Sequence, residues 1–130
     1  MTSLFSATFD ASFRTEENLS PPSGLCFTHE GNILLADDFN HRIQIYDQQF
    51  NLINSFGEKG KKQGQLQYPK GIAVDKEGNI FVADSWNHRI QKFDSQGKPL
   101  LSFGSCGDGK GELNEPYEIL IDSSGTLIVV

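Results

Sequence analysis

Gly71-Ile-Ala-Val-Asp-Lys-Glu-Gly-Asn-Ile-Phe-Val-Ala-Asp-Ser-Trp-Asn-His-Arg-Ile-Gln-Lys-Phe93 holds three short apolar runs, 71–75, 79–83 and 89–93, parted by residues that favour turns. A fourth run, Pro99-Leu-Leu-Ser-Phe103, follows after Ser95-Gln-Gly-Lys98. Each run has the length of a β-strand, and no apolar stripe at helical spacing extends over ten residues. The stretch therefore predicts four antiparallel strands in hairpin succession. Their near-continuous apolar character, as in Asn79 to Ala83, predicts a small sheet covered on both faces.

The same pattern recurs. Pro22, Pro69 and Pro116 stand 47 residues apart, and aligning 22–68 with 69–115 gives 21 identities in 47 positions. Glu-Gly-Asn-Ile occurs at 30–33 and 77–80, and Asn-His-Arg-Ile-Gln at 40–44 and 87–91. A period in this range marks a solenoid, an array or a propeller, and four strands per unit select the propeller blade. The reading divides the chain into 1–21, the last strand of a preceding blade with its loop; 22–68 and 69–115, two full repeats; and 116–130, the first two strands of a further one. That is about 2.75 blades. The fold class is all-β, a β-propeller of four-stranded antiparallel blades that is incomplete. The chain accordingly reads as a fragment of a longer protein, which alone would expose apolar faces and self-associate. Phe56 and Phe103, each followed by glycine, are expected to pack between blades.

Composition narrows the function classes. Eleven Lys and Arg against 17 Asp and Glu give a net charge of −6, which disfavours broad capture of RNA or anionic membrane. No apolar run approaches the roughly 20 residues of a membrane span. Met1-Thr-Ser-Leu-Phe-Ser6 lacks a basic segment leading an apolar run, so a cytoplasmic location is expected. Two cysteines in unlike settings, Cys26 and Cys106, do not make a disulfide framework.

Pro-x-Gly-Ile-Ala-Val-Asp, Gly-Asn-Ile-Phe-Val-Ala-Asp, Asn-His-Arg-Ile-Gln and Ser-Phe-Gly-x-x-Gly resemble NHL repeats, the blade units of six-bladed propellers. The resemblance implies a non-catalytic platform that binds a protein, or alternatively RNA. It also implies a place at the substrate-recognition end of a tripartite-motif-like ubiquitin ligase, whose activity would lie outside this region. A related propeller, the zinc-dependent peptidyl-hydroxyglycine amidating lyase, supplies the alternative. Asp-x-x-x-His at 37–41 and 84–88 is similar to its strand-end motif, which would make His41 and His88 metal ligands. A catalytic zinc usually takes three protein ligands, and two repeats offer two. No cofactor is therefore expected.

The loops between second and third strands carry Phe39-Asn40-His41 and Trp86-Asn87-His88, a candidate binding surface in which Phe39 and Trp86 offer stacking area. The plainer reading has the two aromatics capping their own hairpins. Asp37 with Arg42, and Asp84 with Arg89, are expected to form ion pairs within each blade, fixing loop shape more than adding stability. Lys59, Lys61 and Lys62 form a basic loop able to meet phosphate, although a solvated loop is the simpler reading. In the equivalent loop, Gly111 stands where a phosphate loop needs Ser or Thr, which excludes nucleotide binding there.

Overall fold

The computed structural model describes residues 24–130. The strand expected within residues 1–9 lies outside them. Two four-stranded antiparallel meanders and one two-stranded sheet succeed one another along the chain. The first contains β1 (Gly24–Phe27), β2 (Ile33–Asp37), β3 (Arg42–Tyr46) and β4 (Leu52–Phe56). The second contains β5 (Pro69–Val74), β6 (Ile80–Asp84), β7 (Arg89–Phe93) and β8 (Pro99–Phe103). β9 (Ile119–Ile121) and β10 (Leu127–Val129) pair as the third sheet. The fold is that of a partial β-propeller, the sheets being its blades.

Chemistry at the turns explains the hairpins. Gly31, Gly78 and Gly125 take φ of 89°, 85° and 89°, a region that an L side chain enters at a cost. The preceding Thr28, Asp75 or Asp122 accepts backbone N–H groups on its side-chain oxygen and closes the turn. At the other end of each blade a 3-10 turn, Asp38–Asn40 or Ser85–Asn87, carries the chain from second to third strand. His41 and His88, both at φ 55°, end these turns. The register partners Asp37 with Arg42 and Asp84 with Arg89 fix that end as the upper edge, and the Gly31 and Gly78 turns fix the lower.

Strand alternation gives every blade two apolar faces. Leu34, Ala36, Ile43 and Ile45 of the first blade pack against Ile72, Ile80, Val82 and Phe93 of the second. The opposite face of the second blade, with Ala73, Ala83 and Ile90, packs in the same way on Ile119 of the third sheet. Phe56 lies between blades with its ring 4.7 Å from that of Phe93. Phe103 is 43% exposed; the sheet beside it holds β9 and β10, and among the described residues no counterpart of Phe93 stands against its ring. The innermost strands approach most closely. A Cβ on Gly71 would stand 2.7 Å from the carbonyl oxygen of Tyr117 and 2.8 Å from Glu118 Cα, and one on Gly24 would run into the carbonyl oxygen of Lys70.

Candidate functional site at the upper edge

The upper edge gathers the 3-10 turns, the connection 57–68 and the entry to the next blade. Asp84 organises it. This carboxylate is fully buried; Oδ2 accepts from Arg89 Nε at 2.7 Å, Asn87 Nδ2 at 2.9 Å and Gln91 Nε2 at 3.1 Å, while Oδ1 accepts from Gln67 N at 2.7 Å. Arg89 and Gln91 then bind the connection itself. Arg89 Nη2 donates to the carbonyls of Lys62 and Gln65, and Gln91 takes Gln65 O and Gly64 N. The ion pair thus reaches beyond its own hairpin and holds the inter-blade chain. In the first blade Arg42 Nε meets Asp37 Oδ2 at 2.7 Å, and Asn40 donates to both oxygens of that carboxylate. Gln44, the counterpart of Gln91, is fully buried and makes no side-chain hydrogen bond with the described residues. Residues 17 and 18, the counterparts of Gly64 and Gln65, lie outside them.

Tyr68 joins the two blades. Its backbone sits at φ 50°, an uncommon position for an aromatic residue, and its N–H donates to His41 Nδ1 at 3.1 Å. Its ring lies edge-on to His41 at 4.6 Å and to Phe39 at 5.7 Å, and inclined to Trp86 at 4.3 Å. Phe39 and Trp86, 62% and 55% exposed, therefore flank a tyrosine from the junction between blades. Three rings from two blades form one upper surface. Beside it Lys70 Nζ reaches back to Asp38 Oδ2 at 2.9 Å and lies 5.8 Å from the Tyr117 ring. Lys59, Lys61 and Lys62 are exposed on the adjoining connection, and none forms an ion pair among the described residues.

The histidines are straps. His88 Nδ1 accepts from Glu115 N at 3.1 Å, repeating the bond of His41 to Tyr68 one blade on. With Nδ1 accepting an N–H, each ring carries its own proton on Nε2. Among the described residues no three His, Cys, Asp or Glu side chains stand close enough to hold a metal ion. Burial pushes His41 below the ordinary histidine value, and the charge of Lys59 acts in the same direction. An unfolded chain then binds this proton more tightly than the folded one. Stability is complete above about pH 6.5 and is lost as pH falls through the depressed folded value. We expect the thermal midpoint to drop on acidification through this range, and to drop less in His41→Asn, whose side chain tolerates positive φ and keeps an acceptor. Equal drops in the two proteins would disprove this role for His41.

Tyr68 could not be found from the repeat, since Pro21, Tyr68 and Glu115 occupy equivalent positions. Gln91 had a signal in the repeated Asn-His-Arg-Ile-Gln, but its partners on the connection are backbone groups.

The NHL repeat family matches residues 66–93. Protein brain tumor of Drosophila melanogaster is 41% identical over 51 residues, covering 39% of this chain and 5% of that protein. In solved structures the fold is similar to hydrazine synthase of Kuenenia stuttgartiensis, with a TM-score of 0.68, 15% identity, and coverage of 89% of this chain and 30% of that one. It is also similar to virginiamycin B lyase of Staphylococcus aureus, with a TM-score of 0.62, 11% identity, and coverage of 84% and 34%. At such identities the structural likeness speaks for the fold alone. The chain spans a small part of the curated relative and about a third of each solved one.

Proposed function

We propose, for a chain of the NHL-repeat family, that the upper edge is a non-catalytic platform for a protein partner. The observation that carries this reading is the joined surface of Phe39, Tyr68 and Trp86, two of them more than half exposed although large aromatics otherwise favour burial. In a tripartite-motif-like ubiquitin ligase of the cytoplasm this surface would recruit the substrate. Asn40 and Asn87 tie the turns that carry Phe39 and Trp86 to Asp37 and Asp84, and His41 holds the backbone of Tyr68. RNA is the second reading, favoured by the exposed Lys59, Lys61 and Lys62 beside the rings and opposed by the net charge of −6. Against a zinc enzyme stands the engagement of Nδ1 of both His41 and His88 by backbone N–H groups of the following blade. Further blades of a longer chain, or a second copy, would cover the apolar sheet face that exposes Leu120 and Ile128.

Partners crosslinked to the wild-type chain, identified by mass spectrometry with and without nuclease, test the reading. Phe39→Ala with Trp86→Ala should weaken capture of an identified protein by about tenfold or more while the fold persists, because both side chains are surface-exposed. Capture unchanged by the double variant would reject the platform. Capture lost on nuclease treatment would replace the protein partner by RNA.

A further inference from the structure

The lower edge holds a second candidate site, independent of the upper one. Between the two complete blades lies a cavity of about 390 Å³, within the size range of small-ligand clefts. Its walls belong to four-stranded sheets on both sides, so it does not arise from a missing strand. Ile45, Ile53 and Ile80 give it an apolar lining, and Glu30 and Glu77 are its charged side chains. The two glutamates hold the same place in successive repeats, both are exposed, and neither has an ion-pair partner among the described residues. No Lys or Arg among the described residues lines the space. Two hydrogen bonds brace it from blade to blade. His29 Nε2 donates to Asp75 O at 3.0 Å, and Asn54 Nδ2 donates to Gln96 O at 2.9 Å. The cleft is therefore formed before anything enters it, which lowers the ordering cost of binding.

We infer that this cleft receives an arginine side chain presented by a peptide segment of a partner protein. An arginine has an aliphatic stem suited to the isoleucines and a planar fork of donors suited to two carboxylates with amide acceptors close by. The occupant is thus cationic at its tip and apolar along its length. The upper surface, with its exposed lysines and rings, offers the opposite charge. One chain can then hold two partners, or two segments of one partner, on opposite edges.

Fluorescence anisotropy of a labelled acetyl-Gly-Gly-Arg-Gly-Gly peptide against the 130-residue chain tests the assignment whatever the chain's state of association. The citrulline peptide keeps the shape and loses the charge. Binding of the arginine peptide is expected, with a loss of about tenfold or more for citrulline and for the double variant Glu30→Gln with Glu77→Gln. Both substitutions lie on exposed side chains, and circular dichroism checks that the fold is kept. Trp86→Ala should leave arginine-peptide binding unchanged, so failure at the upper edge and failure at the lower edge are read separately. Equal binding of the arginine and citrulline peptides, retention of affinity in the double Gln variant, or no binding at all would overturn the proposal. A lysine peptide that binds as tightly as arginine would overturn the choice of guanidinium.

Discussion

Asp84→Ala is expected to destabilise the chain by about 3–5 kcal/mol, because the substitution removes one member of a buried ion pair and leaves its partner charge in place. Arg89, with a side chain 13% exposed, would keep its two carbonyl acceptors and lose its counter-ion. Asn87 and Gln91 would each lose an acceptor, and the N–H of Gln67 would be left unpaired. These losses fall on one network and do not add as separate bonds. Asp37→Ala provides the comparison. Arg42 is 30% exposed against 13% for Arg89, so the same change one blade earlier leaves a better hydrated charge and should cost about 1–3 kcal/mol. Urea unfolding of both variants at constant slope measures the difference. Equal costs would mean that the deeper burial of Arg89 adds nothing to the loss.

Gly71→Ala is expected to cost about 2–3 kcal/mol through overpacking. The added methyl would meet backbone atoms of Tyr117 and Glu118, which cannot rotate aside as a flexible side chain would. Relief would require the second and third sheets to separate at their inner strands, opening the contact around Ile119 and Ala73. Gly78→Ala makes the control. There an added Cβ has nothing nearer than Ser95 Cβ at 3.9 Å, so its cost comes from the positive φ alone. Thermal midpoints that fall by the same amount in the two variants would show that crowding at Gly71 is absorbed by the fold.

Gly71 and its counterpart Gly24 also mark how far the sequence could be read. They appear as a repeated position after proline, and the repeat alone places them at the start of the first strand of a unit. Which backbone they approach follows only from the stacking of blades. The four strands of each full unit were legible because apolar runs and turn residues alternate with little ambiguity. The paired positions of Asp84 and Arg89 were legible from the shared hairpin. Their hold on Lys62 and Gln65 was not, since backbone carbonyls have no residue signature. The same reason hid the histidine straps. A backbone N–H at residue 68 or 115 looks alike in every sequence, and Asp-x-x-x-His, whose likeness to a zinc motif supplied the alternative reading, gives no sign that the ring accepts a hydrogen bond. The aromatic surface was half legible: Phe39 and Trp86 recur by the repeat, whereas Tyr68 breaks it.

The strap from His41 to Tyr68 bears on how such a protein can be cut and recombined. Sequence periodicity places the seam at residues 68 and 69, yet the loop of one blade is held in shape by the backbone that enters the next. A chimera joined at that seam would bring a foreign residue under the histidine and tilt the neighbouring rings. Exchange of the segment 33–79 instead, cut at the lower turns, would carry the upper loop at 38–41 together with Arg42 and Tyr68, which clamp it. The inheritable module of binding is therefore offset from the module of folding by roughly a quarter of a repeat, and evolution or design that shuffles whole blades would alter two recognition surfaces for every blade it moves.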